Sequence, residues 1–263
     1  MQNLKSSVLS KIFFITFALL LTFLFSTSNL YADEKKTRSE ELLAKIDELW
    51  RGDSSHGKFS MHVKTKNYER KMGMETWSKG KDKSLVRIYA PKKEKGTSTL
   101  KSDKTIYTYL PKTDRTIRLT SGMMGGSWMG SHFTNDDLVK ESSLEDDFDS
   151  SVTFEGMRRG VGTIEITLIP KPDAAVVWGK ILIEIYSDNF LPIREFFYDE
   201  DGVLMRTMLF EDIKVLGGRK FPAVMKIIPE DKPGEFTELI YHEMEFNINL
   251  KDSLFSVSQL RRM

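Results

Sequence analysis

The sequence predicts a mainly β fold with a few helices: an unclosed antiparallel β-barrel, in effect one strongly curved sheet, covered by an N-terminal amphipathic helix and short helices or loops. Three observations carry this expectation. About a dozen short segments alternate apolar and polar residues with period two. Turn-forming residues separate them at the spacing of antiparallel meanders, with no strand–helix–strand alternation. A single long amphipathic helix precedes them all. So many strands in a flat sheet leave a large apolar face in water, so the sheet must curl, and its hollow needs a cover.

The chain opens with a segment that belongs to export rather than to the fold. Lys5 and Lys11 make a basic start, and Ile12–Phe25 is an unbroken apolar run of the length of a signal-peptide core. Polar residues from Ser26 end it short of the roughly 20 residues that a membrane span needs. Leu30-Tyr31-Ala32 offers an imperfect small-x-small site, so residues 1–32 are expected to be a signal peptide cleaved after Ala32, an uncleaved anchor being the other outcome. Residues 33–263 then form a single half-barrel domain. Loss of the leader removes two lysines and no acids, moving the formal charge from +1 to −1. That balance argues against nucleic acid as a partner. The chain has no cysteine, so it carries no lipid-attachment cysteine and no disulfide, and its stability must come from packing.

The helix should begin at Thr37, where Thr37-Arg38-Ser39-Glu40 fits a capping box. Leu42, Leu43, Ile46, Leu49 and Trp50 share one face, and Gly52 offers a left-handed stop. Strands follow wherever alternation is clean: Phe59/Met61/Val63, Ile106/Thr108 against Tyr107/Tyr109, Ile164/Ile166/Leu168, and Ile181/Ile183/Ile185. Turns fall at Lys79–Asp82, Ser102–Lys104, Pro111–Asp114, Asp199–Gly202, Gly217-Gly218 and Pro229–Gly234. Asn135 should cap a short helix with acids in its first turn. Glu145–Asp149 reads as an acidic loop between two halves of one sheet, and Ser253–Leu260 as a final helical turn.

The loop Gly122–Gly130 is the leading functional candidate. Met123, Met124 and Met129 are adaptable apolar side chains, Trp128 adds a large plate with one donor, and Phe133 follows closely. Two arrangements suit them: a movable lid over an acyl-chain cavity, or a loop tucked permanently into the core. Leu42, Ile46 and Trp50 of the helix, with Tyr107 and Tyr109, are candidate cavity-lining residues, although the tyrosines suit ordinary cross-strand pairs equally well. Arg115 and Arg118 fall on opposite faces, so both cannot enter one cavity.

Catalytic signatures do not assemble. The loop lacks the Lys-Ser/Thr of a phosphate cradle, and Gly125–Met129 fails the nucleophile-elbow pattern at its last position. His56, His62, His132 and His242 lack zinc-site spacing and read as surface or strand residues. The acids of Glu145–Asp149 lack the glycine of a calcium loop. No enzyme, metal or cofactor is expected.

Several motifs together carry a resemblance. They are Tyr107-x-Tyr109-x-Pro111 with Arg115-x-x-Arg118, the Met129–Leu138 run, Leu191-Pro192, Met208–Phe210, Gly217–Pro222 and Asp252–Phe255. In these the chain resembles the outer-membrane lipoprotein-sorting proteins, relatives of the periplasmic lipoprotein carrier, over roughly residues 75–260. His132 stands where similar sequences usually carry aspartate. The resemblance implies an unclosed barrel with an apolar cavity, residence in the periplasm, and a non-enzymatic monomer that carries lipid or lipoprotein acyl chains. It also implies an inner-membrane exporter of the resistance-nodulation-division type as a partner. The alternative is an adaptor of such a transporter with a filled core and no cargo cavity of its own.

Overall fold

The computed structural model describes residues 38–140, 144–174 and 176–261. The expected signal peptide, its cleavage after Ala32 and the Thr37 cap lie outside these residues. Helix α1 covers residues 38–51 and stops where Gly52 takes φ +58° and its N–H bonds back to the Glu48 carbonyl at 2.9 Å. Leu42, Leu43 and Ile46 are buried, as their spacing on one face requires. Among the described residues no helix is long and apolar enough to cross a membrane.

Among the described residues thirteen strands follow in one antiparallel sheet. They are β1 (Ser54–Lys64), β2 (Glu69–Lys79), β3 (Lys83–Ala90), β4 (Ser98–Ser102), β5 (Thr105–Leu110), β6 (Arg115–Arg118), β7 (Phe148–Arg158), β8 (Val161–Pro170), β9 (Lys180–Tyr186), β10 (Pro192–Tyr198), β11 (Leu204–Leu216), β12 (Arg219–Pro229) and β13 (Phe236–Phe246). Their spatial order is β6-β5-β4-β3-β2-β1-β13-β12-β11-β10-β9-β8-β7. Each half is a simple meander, and the β1–β13 ladder, from Ser55↔Phe246 to Lys64↔Phe236, joins the two. Strands β6 and β7 are left as free edges, so the barrel is unclosed, as expected.

The turns obey local chemistry. Gly217 and Gly218, at φ +56° and +81°, make the tight β11–β12 hairpin, which needs two residues of positive φ. Register shifts at Lys58/Phe59, Val152/Phe154 and Phe197/Tyr198 mark bulges, and bulges bend a sheet. On the inner face the alternation works as read: Met61, Val63, Ile166, Leu168, Ile183 and Ile185 are essentially inaccessible to solvent. A smaller cluster of Leu85, Leu100 and Tyr109, with Tyr107 and Trp77 beside it, packs under Phe255 and Leu260. The last two belong to the C-terminal 3-10 turns Asp252–Phe255 and Val257–Arg261.

Two local expectations change. The acidic stretch is not a loop: Leu144–Asp147 is a helical turn, α3, and Phe148 already starts edge strand β7. The short helix α2 (Asp137–Lys140) is capped by Thr134 rather than Asn135. Thr134 Oγ1 accepts the Asp137 N–H at 3.1 Å, while Asp137 Oδ2 accepts the Thr134 N–H at 2.7 Å. That reciprocal pair satisfies two orphan donors, whereas Asn135 turns its amide to the Met123 carbonyl.

Candidate ligand cavity

Strands β6 and β7 are consecutive in the chain, so the polypeptide must travel from one free edge of the sheet to the other. The segment 119–140 makes this crossing, and it contains the Gly-Met-Trp loop. Together with α1 it covers the inner face and leaves a largely apolar, partly open hollow of about 260 Å³, which Arg51, Lys81, Lys83 and Lys101 also line. Leu43, Ile46 and Trp50 line it from α1, Trp128, Phe133 and Leu138 from the crossing segment, and Phe59, Val86, Ile183, Phe197, Phe210 and Leu239 from the sheet. Trp50 packs edge-on against Phe221 at 4.6 Å and tilted against Phe210 at 5.7 Å, which fixes α1 over the central strands.

The loop itself is tied down. Trp128 N–H bonds to the Phe133 carbonyl, Asn135 N–H to Gly126 and Asp136 N–H to Met124. Met129 sits at φ +50°, an unfavourable region for a side-chain-bearing residue, and Gly130 follows at φ +68°. Two side chains of the β1–β2 region hold this turn: Arg70 Nη1 donates to the Met129 carbonyl at 3.0 Å, and the Tyr68 hydroxyl donates to the Gly130 carbonyl. Trp128 is 4% exposed and its Nε1–H bonds to Thr99 Oγ1 at 3.1 Å.

On the far side the anchors are charged. Arg206 of β11 grips Asp137 with Nη1–Oδ2 at 2.8 Å and Nη2–Oδ1 at 2.7 Å, and Nη1 also donates to the His132 carbonyl at 3.1 Å. His132 is not the surface residue expected. Its ring is nearly enclosed, with Nδ1 2.8 Å from Thr237 Oγ1 and Nε2 3.1 Å from Glu235. The Lys66 N–H and His132 hold the Glu235 carboxyl below its usual range. An ion pair between Lys81 and Glu145 links the β2–β3 turn to α3 across the opening.

The sequence candidates are therefore divided. Ile46, Trp50, Trp128 and Phe133 meet in the hollow, and Leu42 is buried beside it in the same core. Met123 and Met129 line a second, outer groove of about 530 Å³ with Ile88, Leu110 and Ile117, and Trp128 forms the wall between the two spaces. Met124 lines neither. Tyr107 and Tyr109 do not line the hollow, because the pleat turns them to the opposite face, under Phe255 and Leu260. Trp128 itself is buried. Arg115 and Arg118 are exposed on edge strand β6.

Arg206, Asp137 and Trp178 were not singled out from the sequence. One cue was available: Arg206 holds an inward position of β11, in phase with Met208 and Phe210, where an apolar residue is expected.

A family described as uncharacterized protein-like has a model that matches residues 80–262. No curated protein matches the chain. Among solved structures, a DUF1329-family protein from Desulfovibrio piger superposes with a TM-score of 0.77 at 20% identity, covering 86% of this chain and 99% of that one. A domain described as that of an outer membrane lipoprotein-sorting protein from Vibrio parahaemolyticus gives 0.75 at 23% identity, covering 88% and 99%. A LolA-superfamily protein from Nitrosomonas europaea gives 0.71 at 22%, covering 84% and 98%. The chain belongs to the family of the matching model, and its fold is that of the outer-membrane lipoprotein-sorting proteins of the LolA superfamily.

Proposed function

We propose that the protein is a periplasmic carrier that holds the acyl chains of a lipid or lipoprotein in the hollow between α1, the crossing segment and the inner face of the sheet. The observation that carries this reading is the hollow itself. A closely packed core leaves few voids larger than a water molecule, yet this one spans about 260 Å³ between aromatic and aliphatic walls. That is just under the usual range of ~300–1,000 Å³ for ligand pockets. The adaptor alternative expected a filled core, and the hollow argues against it. Among the charged groups that line it, Arg206 pairs with Asp137 and Lys81 with Glu145, and these pairs hold the covers in place.

Export is part of the same proposal, since acyl cargo destined for the outer membrane crosses the periplasm. Lipid extraction of protein purified from the periplasm, followed by mass spectrometry, tests the reading. Acyl-chain lipid or acylated peptide in near-stoichiometric amount is expected with the wild type, and much less with Ile183→Trp, which fills the hollow. Wild-type protein that stays lipid-free and takes up none on reloading after delipidation would rule the carrier out.

A further inference from the structure

On four neighbouring strands the inner face breaks its apolar pattern at one and the same rung. Ser55 of β1 stands opposite Ser78 of β2, Ser78 opposite Ser84 of β3, and Ser84 opposite Lys101 of β4. All four line the hollow. Four residues further along the same strands the rung Phe59–Met74–Ile88 is wholly apolar and buried in the core. Nor is the polar rung simply a wet rim, since Ser55 and Lys101 are each 5% exposed. Polar and charged groups placed beside apolar walls cost free energy unless acceptors meet them. Lys101 Nζ donates to the Lys81 carbonyl at 2.7 Å. The Ser55 and Ser78 hydroxyls share one bond of 2.6 Å, in which the accepting hydroxyl keeps its own proton to give. Two more cations line the hollow beside this rung: Arg51 at the end of α1, and Lys81 in the β2–β3 turn. The Gly80 N–H bonds to the Asp53 carbonyl at 2.9 Å and so ties that turn to the residues that follow α1.

We propose that this corner is a head subsite for an anionic group, phosphate or carboxylate, at the end of an acyl chain. This rests on the carrier reading above and names the class of ligand. Hydroxyl, ammonium and guanidinium groups are all donors, and bonds from charged donors to anionic oxygen are the strong ones. Charge selects the anion. Among the described residues Arg51, Lys81 and Lys101 meet two acids here, Asp47 and Glu145, which Arg51 and Lys81 engage. Lys83, which also lines the hollow, turns to Asp252 instead. The other acids of the wall, Asp136, Asp137 and Glu195, come from the crossing segment and β10. An anion evens the balance at this corner, and a cationic head is repelled from it. Lys81 and Glu145 are both part-exposed at the opening, and an exposed pair is worth little, so head-group oxygens can replace Glu145 on Lys81 at small cost. The chain then runs from the polar rung along the apolar ones.

The test uses four single-chain probes of equal chain length, each kept below its micelle threshold: dodecyl phosphate, laurate, dodecanol and dodecyltrimethylammonium. Each competes with a lipophilic fluorescent dye bound to the delipidated protein. One or both anions should displace the dye from wild type at about tenfold lower concentration than dodecanol, the size of one hydrogen bond to a charged group. The ammonium probe should be the weakest. A margin for the phosphate alone assigns a phosphate-headed lipid, and for laurate alone a fatty acid. Lys81→Gln and Glu145→Gln, both at part-exposed positions, should move that margin in opposite senses. Loss of the cation shrinks it severalfold, and loss of the competing acid widens it. Lys101→Gln should shrink it as well. Anions and dodecanol competing equally would overturn the subsite while leaving the carrier reading intact, as would an ammonium probe that matches the anions. So would a margin that moves the same way in Lys81→Gln and Glu145→Gln, the mark of a pair that only latches the cover. No displacement by any probe would remove the carrier reading, and this inference with it.

Discussion

At the residue scale, the pair Arg206–Asp137 decides how the cover is held. An arginine in a core costs folding free energy unless a carboxylate and further acceptors surround it, and Asp137 supplies both prongs from the cover rather than from the sheet. The same carboxylate also caps α2 through the Thr134 N–H, so one side chain ties together a helix start, a loop and a strand. Asp137→Asn keeps the shape and removes the charge, leaving a buried cation uncompensated. It should lower stability by about 3–5 kcal/mol in urea unfolding, the range for one broken buried pair. An unchanged midpoint would show that the pair is not held in solution. The sequence hinted at Arg206 through its phase on β11, but nothing in it could indicate Asp137, which lies 69 residues away.

At the element scale, α1 and the crossing segment play the same part from opposite ends of the domain. Each is too short or too irregular to stand alone, and each buries aromatic and aliphatic side chains against the inner face. Helix α1 was legible, because its spacing and its stop at Gly52 are local properties. Ile46→Asp places an unpaired charge where Ile46 now lines the hollow, and should cost about 3 kcal/mol or more. Near-UV circular dichroism of Trp50 should be lost with it, while the far-UV strand signal remains. A variant as stable as wild type would show that α1 lies off the sheet. The crossing segment was legible only in part. Its composition gave a lid or a packed loop, and both contain some truth: Trp128 is packed, yet it is packed as a wall between two spaces.

At the scale of the whole molecule, the paired carboxylates set how stability follows pH. Glu69 is held below its usual range by His62, Glu243 by Lys58, and Asp252 by Lys79 and Lys83. Glu235 is held down likewise by the Lys66 N–H and His132. A carboxyl depressed on folding stabilises the native state above its unfolded pKa, and loses that contribution as pH falls through the depressed folded value. The four therefore act in one direction. The urea midpoint should fall as the solution is acidified from about pH 6 to pH 3, and less steeply in Glu235→Gln. Since Glu69, Glu243 and Asp252 are largely exposed, salt should flatten their part of the slope. A midpoint that holds or rises on acidification would contradict the pairing. The same pairs bear on architecture, since Asp252 fastens the C-terminal turn to β2 and β3.

By itself the sequence determined the class of fold: period-two alternation, turn residues and one amphipathic helix are local signals, and a long run of strands obliges the sheet to curl. It also determined that Trp50, Ile46, Trp128 and Phe133 are apolar surface in need of cover. Only the tertiary structure decided which face each strand shows. A tyrosine on an alternating strand has two neighbours to choose from, and the C-terminal turns, far away in the chain, claimed Tyr107 and Tyr109 for the outer face. Only the tertiary structure placed β1 beside β13, left β6 and β7 as open edges, and so forced the chain between them across the mouth of the hollow. Contacts of that kind depend on where distant segments meet in space, and local pattern carries no record of it.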